Sequence, residues 1–385
     1  MLKKKFTRVY YVVRIVKNYI KYYRNIRKGK HNIIKNFSSG NIKSIDGRPM
    51  PNEVVQLYRK TFLKFNRIKP EDASIAAEHF CKNEIQFVKD SYKGKVPKSD
   101  IILICNVKND LQRIKMLLSY YRKMGVKYFS ILDNNSTDGT FEWLTGQNID
   151  VLSVKEQYTS KKRKGWILKL IEHYGWNRWY LFVDSDELLT YIDMEKKNIQ
   201  RLIQELEKKN ITRALCFMLD MYAKENNLSD DSKEGTNDIE NEYCYFDSDS
   251  YYMSCRFWGY AILGGPRDRF FENKKVDELL TKYPLAYMKA GEIYGYHDIF
   301  PYKENFRTEM TGVLRHYKFL RGDFNKMKTI VKEKNYAGGS ILYKKYLEAI
   351  ADKKKISFFY DGSKKYRDSN DLNKISLFKK LVNQK

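Results

Sequence analysis

The chain has 385 residues and 42% of them are hydrophobic, so it can bury the core of one large domain with appendages or of two to three smaller domains. Its net charge of +26 at pH 7 indicates an anionic partner such as a nucleic acid, a membrane surface or a phosphate-bearing substrate. No stretch reaches the roughly eighteen uncharged apolar residues of a transmembrane helix, and no signal-peptide core is present. The five cysteines have no Cys-x-x-Cys spacing, so we expect a cytoplasmic protein.

The N-terminal segment carries much of the excess charge. Residues 1–45 contain thirteen Lys or Arg and no Asp or Glu, and apolar residues recur at spacings of three and four over residues 2–24. This pattern predicts a basic amphipathic helix. Through residues 2–28 it fits peripheral contact with an anionic membrane, where each basic group contributes about 1 kcal/mol. Packing on the protein itself or on a second copy, and contact with nucleic acid, are the alternatives.

From residue 100 onward, strand-like and helix-like patterns alternate. The apolar runs with the length of buried strands are residues 101–105, 126–132, 149–154, 179–183 and 214–219. Segments with helical spacing of apolar residues separate most of them, which implies a largely parallel sheet with right-handed crossovers. The sequence therefore predicts an α/β fold.

Acidic residues follow the fourth apolar run directly. Asp184, Asp186 and Glu187 come after residues 179–183, with Ser185 between the two aspartates. Carboxylates this close repel each other unless a cation separates them, and Mg²⁺ and Mn²⁺ take carboxylate ligands together with substrate phosphates. We therefore predict that Asp184 and Asp186 form a metal and diphosphate site. A solvated turn or helix N-terminus is the alternative, and the same tripeptide recurs at residues 247–249.

A second polar segment ends the second predicted strand. Asp133 and Asn134 open it, and both offer groups that can hydrogen-bond a nucleobase or a ribose. Because carboxyl ends of parallel strands share one edge of a sheet, Asp133 and Asp184 should lie on the same edge. An Asx turn followed by a helix cap is the alternative for this segment.

The chain resembles the GT-A type glycosyltransferases, close to family 2 and the family 92-like group. The resemblance covers roughly residues 99–322, and its order and spacing are more specific than any single motif. The matching stretches are Asn106–Asp110, Tyr121–Gly125, Leu132–Thr140, Trp179–Leu188, Met218–Tyr222, Gly264–Arg267, Tyr283–Leu285, His297 and Leu314–Phe319.

The resemblance implies a GT-A (Rossmann-like) fold, a nucleotide-sugar donor, Mn²⁺ or Mg²⁺ bound through Asp184 and Asp186, and inversion at the anomeric carbon. It places Asp133 in the nucleotide pocket, with Asn106 and Asn134 beside it, and makes His316 a further metal ligand or phosphate contact. Asp110 departs from the family pattern, which more usually has Glu there, and this leaves its contact with the nucleotide in doubt.

Two further groups of residues are candidates for the chemistry. Arg267 and Arg269 can clamp the leaving phosphates, since arginine binds phosphate in a bidentate manner; arginines that support a hairpin are the alternative. The general base that an inverting transfer needs is Asp220, Glu292 or Asp268, of which Asp220 is favoured because it ends a core strand.

The sequence thus predicts a basic helical extension over residues 1–95, a glycosyltransferase domain over residues 96–322 and a helical basic tail over residues 323–385. Within the domain, residues 96–220 form the nucleotide-sugar half and residues 221–322 the acceptor half. The predicted function is transfer of a sugar to a glycan or glycolipid acceptor in surface polysaccharide biosynthesis. A nucleotidyltransferase acting on a sugar phosphate and a basic nucleic-acid-binding protein are the alternatives, and we expect no nucleic acid partner.

Overall fold

The computed structural model describes residues 49–63, 70–225, 238–256, 258–270, 278–334, 336–351 and 357–382, together with isolated positions between residues 20 and 45. The amphipathic helix predicted over residues 2–24 lies almost entirely outside the described residues, as does most of the segment 2–28 proposed to contact a membrane. Both therefore stay predictions.

Helices and strands alternate over the central part of the chain. The α-helices are α1 (Asn52–Leu63), α2 (Pro70–Cys81), α3 (Leu111–Lys123), α4 (Thr140–Thr145), α5 (Ser160–Tyr174), α6 (Ile199–Lys208), α7 (Ile239–Glu242), α8 (Gly265–Phe270), α9 (Asp323–Glu333), α10 (Ala337–Ala351) and α11 (Ser376–Val382). The strands are β1 (Ile85–Lys89), β2 (Ile102–Val107), β3 (Tyr128–Asp133), β4 (Asp150–Val154), β5 (Arg178–Phe182), β6 (Glu187–Thr190), β7 (Leu215–Asp220), β8 (Tyr245–Asp247), β9 (Tyr251–Arg256), β10 (Gly259–Gly264), β11 (Thr281–Lys282), β12 (Leu285–Met288), β13 (Ile293–Tyr294), β14 (Ile299–Phe300), β15 (Met310–His316) and β16 (Ser363–Lys365).

The chain divides into two compact units, one formed by residues 1–86 with 160–173 and the other by residues 87–159 with 174–385. In the first unit, the Tyr58 hydroxyl of α1 donates to Glu172 of α5 at 2.9 Å, and Trp166 Nε1 donates to Glu84 at 2.9 Å. This division differs from the predicted boundary at residue 95, because most of α5 packs with the N-terminal helices.

The second unit is built on a six-stranded sheet with the strand order β1-β4-β3-β2-β5-β12. The pairs β4–β3, β3–β2 and β2–β5 are parallel, while β12 joins β5 antiparallel. Every residue of β5 is buried, as a strand covered on both faces requires. The prediction of an α/β fold with a mostly parallel central sheet is confirmed.

The strand register brings the two predicted polar segments to one edge of this sheet. Asp133, the last residue of β3, lies opposite Val107 of β2, and Phe182 of β5 lies opposite Ile104 of the same strand. Asp184 follows Phe182 after one residue. The carboxyl ends of β2, β3 and β5 therefore form a common edge, as the sequence predicted.

A second sheet, with the order β11-β7-β15-β6, brings further polar residues together. Its strands β7 and β15 are parallel, and β15 pairs antiparallel with β6. In this register His316, the last residue of β15, lies between Asp220 of β7 and Glu187 of β6. Because β6 begins directly after the Asp184–Asp186 turn, the end of the second sheet adjoins the polar edge of the first.

The C-terminal segment, which the sequence predicts as a helical basic tail, packs against the rest of the second unit and contributes strand β16. Phe358 packs with Tyr222, Phe319 and Tyr346 in a buried apolar cluster. Strand β16 pairs with β8, and Phe378 of α11 is buried. The apolar residues here are too widely spaced for a periodic pattern to show, so the sequence does not reveal this packing.

No helix in the described part of the chain has the length and apolar character needed to cross a membrane. The five cysteines, all within the described residues, are free thiols.

Gly165 is where α5 approaches α2 most closely. A Cβ atom at this position would lie 2.8 Å from the backbone nitrogen of Phe80 and still closer to the carbonyl oxygen of Ala76. We predict that Gly165→Ala destabilises the protein by about 1–3 kcal/mol despite the better helix propensity of alanine, because the two helices must move apart. Urea unfolding followed by circular dichroism measures this. Lys164→Ala is the matched control on the same helix and should change the unfolding free energy by less than about 0.5 kcal/mol; equal stabilities of the two variants would contradict the close approach.

Candidate active site

His316 bridges two carboxylates at the junction of the two sheets. Its Nδ1 lies 2.7 Å from Asp220 Oδ1 and its Nε2 lies 3.3 Å from Asp186 Oδ2. The backbone supports this arrangement, since the nitrogen of Tyr317 donates to the carbonyl oxygen of Asp186 at 2.8 Å. The imidazole is buried, so its orientation is fixed by these contacts.

The pKa values of the three groups reflect this arrangement. Burial lowers the pKa of His316, but the charges of Asp186 and Asp220 and their hydrogen bonds to the ring outweigh it, so the pKa is raised. Burial raises the pKa of Asp186, yet the charge and hydrogen bond of His316 hold it well below its usual value. The carboxyl of Asp186 is therefore ionised at neutral pH.

Asp184 does not share this arrangement. Its Oδ2 lies 3.1 Å from the ammonium group of Lys282, which also lies 2.8 Å from Glu187 Oε1. Lys282 is 4% exposed, so a buried cation of the protein itself pairs with both carboxylates and offsets one of their two negative charges. The predicted metal ligands Asp184, Asp186 and His316 are not brought together as one set. Among the described residues no group of three His, Cys, Asp or Glu side chains is arranged to hold a metal ion.

Asp186 and His316 nevertheless fit a divalent cation that substrate phosphates help to bind. Two ligands about 2.1 Å from one cation and at right angles lie about 3 Å apart, close to the 3.3 Å between Asp186 Oδ2 and His316 Nε2. Asp220 holds the other ring nitrogen of His316, which is the usual position of an outer carboxylate that orients a ligating histidine. Asp184, which pairs with Lys282, is not part of this pair, and metal binding by the predicted residues stays a prediction.

Asp220 is not suited to be the general base, contrary to the prediction. It accepts hydrogen bonds from Arg267 Nε at 2.6 Å and from Arg267 Nη2 at 2.8 Å, as well as contacting His316. Burial raises its pKa, but Arg267 and His316 outweigh this and lower the pKa to about 2. A carboxylate this acidic and this fully paired has little tendency to accept a proton from a hydroxyl group.

The two predicted phosphate-clamp arginines are both occupied by carboxylates of the protein. Arg267 is buried between Asp220 and Glu278. Arg269 donates from Nε and Nη2 to the two oxygens of Asp247, each at 3.0 Å. Their guanidinium groups therefore serve structural ion pairs, and the prediction that they clamp phosphate is not supported.

Glu292 lies at the end of β7 opposite to Asp220. It is therefore remote from the other predicted site residues, and its prediction as the general base is corrected. It pairs at 2.8 Å with Arg213, a residue with a side-chain exposure of 0% that comes two positions before β7 begins. The remaining candidate, Asp268, lies on α8 and is exposed. It stays a predicted base.

Asp110 ties the Asp-Ser-Asp turn to the rest of the site. It accepts a hydrogen bond from the Ser185 hydroxyl and pairs with Arg113 and Lys326, each at 2.9 Å. Arg113 in turn pairs with Asp323 at the start of α9. Burial raises the pKa of Asp110, but the charges of Lys326 and Arg113 outweigh it and lower the pKa. The side chain of Asp110 thus positions Ser185. The predicted contact of Asp110 with a nucleotide stays a prediction.

Buried polar atoms without partners line the edge at β2 and β3. They are the side-chain nitrogen and oxygen of Asn106, Oδ1 of Asp133 and Oδ1 of Asn134, judged against the residues that the structure describes. The second oxygen of Asp133 accepts from the backbone nitrogen of Ser136 at 3.0 Å, which is the Asx turn given as the alternative. Because buried polar groups are almost always paired, these atoms call for a hydrogen-bond partner that the described residues do not supply.

Several residues of the site have no recognisable signal in the sequence. Lys282 is 98 positions from Asp184, and Lys318, whose Nζ donates to the Tyr343 hydroxyl at 3.0 Å, adds positive charge near Asp186. His297, one of the residues of the resemblance, contacts the carbonyl oxygen of Thr281 at 2.7 Å. The ion pair of Asp110 and Arg113 is different, because two oppositely charged residues three positions apart at a helix start are a pair that the sequence itself suggests.

The variant Glu292→Gln tests whether the Glu292 carboxylate stabilises the fold. We predict that Glu292→Gln lowers the unfolding free energy by about 3 kcal/mol, because it leaves the Arg213 charge buried without its counter-ion. Asp268→Asn, at an exposed site, should cost less than about 0.5 kcal/mol. Urea unfolding of both variants checks this. A Glu292→Gln variant with unchanged stability would show that the ion pair is not the reason for its burial.

No protein-family model and no curated protein matches the chain. Among solved structures, it is similar to glucosyl-3-phosphoglycerate synthase from Mycobacterium tuberculosis with Mn²⁺, UDP and glucosyl-3-phosphoglycerate, at 14% identity over 34% of this chain and 46% of that one, with a TM-score of 0.23. A second structure of that enzyme, with Mn²⁺, UDP and phosphoglyceric acid, has 12% identity over 38% and 47% of the two chains, with a TM-score of 0.23. An apo UDP-glucose pyrophosphorylase has 11% identity over 66% and 97%, with a TM-score of 0.25. The chain spans about half the length of the first of these proteins, and TM-scores this low carry no argument about activity.

Proposed function

We propose that the protein is a metal-dependent glycosyltransferase that moves a sugar from a nucleotide-sugar donor to a glycan or glycolipid acceptor. One observation carries the proposal: the Asp186–His316 pair, oriented by Asp220, adjoins the same strand edge as the unpartnered polar atoms of Asn106 and Asp133. A metal-bound phosphate and a polar nucleoside would thus bind at the same edge of the sheet.

Asp186 and His316 would hold the Mn²⁺ or Mg²⁺ ion. When bound, such an ion neutralises negative charge that develops on the leaving diphosphate. The chain adds fixed positive charge through Lys318, which replaces the predicted arginine clamp in this role. Lys282 pairs with Asp184 and Glu187 and offsets one of their two negative charges, which would reduce their repulsion of an incoming diphosphate.

The nucleoside would lie against β2 and β3. The Asn106 amide offers both a donor and an acceptor, while Asp133 Oδ1 and Asn134 Oδ1 accept hydrogen bonds from ribose hydroxyls or from base N–H groups. Burial raises the pKa of Asp133, although its hydrogen bonds with the Ser136 segment lower it in part. A hydroxyl donor from the ligand would stabilise its ionised form.

Three finer features of the function stay predictions. Inversion at the anomeric carbon needs a base, and Asp268 is the predicted candidate that is not committed to an arginine among the described contacts. A role in surface polysaccharide biosynthesis and peripheral contact with an anionic membrane through residues 2–28 rest on the resemblance and on the basic N-terminal pattern.

Asp186→Asn tests the proposal directly. We predict a loss of Mn²⁺-dependent turnover of roughly 100-fold or more, because the variant removes the ligating charge. Turnover is measured as release of nucleoside diphosphate from a panel of UDP-, GDP- and dTDP-linked sugars. Asp249→Asn is the matched control, since it makes the same change in the second Asp-Ser-Asp copy, where Asp249 is exposed and contacts Ser376 and Ser248.

The folded state of both variants is checked by circular dichroism and urea unfolding. Equal turnover by the wild type and Asp186→Asn, or pyrophosphate release from nucleoside triphosphates in place of diphosphate release, would contradict the proposal.

Asp220→Asn separates positioning from chemistry. Because Asp220 orients His316 and does not itself face the cation, we predict that the apparent affinity for Mn²⁺ falls about 10-fold to 100-fold. At saturating Mn²⁺, kcat should recover to within a few-fold of the wild type. A kcat that stays low at every Mn²⁺ concentration, with the fold intact, would instead restore Asp220 as a base.

A further inference from the structure

Four tyrosines from three distant segments meet beside the Asp-Ser-Asp turn. Tyr158 follows β4, Tyr296 lies between β13 and β14, Tyr336 precedes α10, and Tyr343 lies on α10. The Tyr158 and Tyr296 hydroxyls are 2.8 Å apart, the Tyr158 and Tyr336 ring centroids 5.3 Å apart, and the Tyr336 and Tyr343 centroids 5.1 Å apart. The four side chains therefore form one continuous group, which we call the tyrosine wall.

Lysines connect both ends of the tyrosine wall to the carboxylates of the site. At one end, Lys282 lies 4.7 Å from the centre of the Tyr296 ring and 3.1 Å from Asp184. At the other end, Lys318 lies 4.8 Å from the centre of the Tyr343 ring. The residue before Lys318, Tyr317, donates a backbone hydrogen bond to the carbonyl oxygen of Asp186. The wall thus borders the turn that would carry the metal and the diphosphate.

The negative charge of the Asp-Ser-Asp turn also affects the pKa of a tyrosine in the tyrosine wall. Burial raises the pKa of Tyr343, and the negative charge of Asp186 raises it further. The contact that links α10 to this turn is the hydrogen bond from Lys318 Nζ to the Tyr343 hydroxyl at 3.0 Å, since Tyr317, next to Lys318, donates to the Asp186 carbonyl oxygen.

The wall is accessible, unlike the aromatic residues of the core. Tyr336 is 38% exposed, and Tyr158, Tyr296 and Tyr343 are partly exposed. Aromatic rings drawn from separate segments and left in contact with solvent next to charged groups are typical of ligand pockets, where apolar faces and a few polar atoms combine. Packing alone would bury them.

We propose that the tyrosine wall is a binding subsite for a sugar ring, an inference that rests on the proposed function. In a nucleotide sugar the sugar is attached directly to the diphosphate, and the acceptor must reach the same anomeric carbon, so a pyranose ring has to lie beside the turn. A pyranose presents an apolar C–H face and a rim of hydroxyls. Tyrosine offers an aromatic face for the former and a hydroxyl for the latter.

The proposal gives the C-terminal segment a function. Helices α9 and α10 lie in the predicted tail, outside the predicted acceptor half of residues 221–322. Lys326 of α9 pairs with Asp110, and the helix start at Asp323 pairs with Arg113, so the wall is anchored to the residues that hold Ser185. The sugar ring is that of the donor or of the acceptor, and the experiment separates the two.

The test uses the full-length variants Tyr336→Ala, Tyr343→Ala and Tyr343→Phe. Tyr252→Ala, an exposed tyrosine on β9, is the control. Three quantities are measured with Mn²⁺: affinity for UDP, GDP and dTDP by calorimetry, hydrolysis of the matching nucleotide sugars without acceptor, and binding to an immobilised glycan panel. The glycan that binds most tightly serves as acceptor in transfer assays.

For a donor subsite, both alanine variants should lose roughly tenfold in kcat/KM for hydrolysis; for an acceptor subsite, hydrolysis should be unchanged while the KM for the acceptor rises by a similar factor. Tyr343→Phe should lose less than Tyr343→Ala, and the affinity of Tyr336→Ala for the free nucleoside diphosphates should stay within about twofold of the wild type. Alanine variants that equal the wild type in hydrolysis, transfer and glycan binding would overturn the subsite, and so would a Tyr336→Ala variant that loses nucleoside diphosphate affinity as well.

Failure of the proposed function has a different signature. A wild type that turns over no nucleotide sugar refutes the proposed glycosyltransferase activity. Glycan binding then decides the subsite. Loss of glycan binding in the alanine variants supports the subsite, and a wild type that binds no glycan overturns the subsite.

Discussion

The contact of one imidazole with two carboxylates constrains the rest of the site. His316 lies where the six-stranded and the four-stranded sheets adjoin, and it contacts Asp186 on one side of its ring and Asp220 on the other. Asp220 is buried and has Arg267 as a second partner, and a buried carboxylate without a counter-charge costs several kcal/mol, so this pair stabilises the strand end that holds the ring. Because Arg267 and Asp220 fix one side of the ring, its Nε2 is directed at Asp186, and the geometry that would bind a cation is established by the folding of β7 and β15.

The parts of this arrangement that follow from local pattern could be predicted from the sequence. The apolar run before Asp184 and the one before Asp133 each have the length of a strand, and alternation with helices makes the strands parallel, so both acids fall on one edge. The structure also places His316 beside Asp186, while the role that the resemblance implies for His316 stays a prediction. In each case the information lies within a few residues of the position concerned, or in the order of the motifs.

The partners of buried charges could not be predicted in the same way. Lys282 and Asp184 are 98 positions apart, and Arg267 and Asp220 are 47 apart; no periodicity links residues at such distances. An arginine after a Gly-Gly-Pro turn has the same sequence context whether it binds a phosphate or a carboxylate of its own chain. The same holds for Asp220, which ends a core strand as a catalytic base would, but whose proton affinity depends on a guanidinium supplied by α8.

The two Asp-Ser-Asp tripeptides of the chain show how far the surroundings decide the chemistry of a motif. In the copy at residues 247–249, Asp247 accepts hydrogen bonds from two nitrogens of Arg269 and from the Tyr222 hydroxyl, the latter at 2.6 Å, so both of its oxygens are paired within the protein. In the copy at residues 184–186, the counter-charges are a lysine on one acid and a histidine on the other. A histidine can give up its proton to bind a cation, whereas an arginine cannot, because its pKa stays above about 12. The copy facing His316 therefore has the chemistry that the proposed metal site requires, and the copy facing Arg269 forms a structural ion pair.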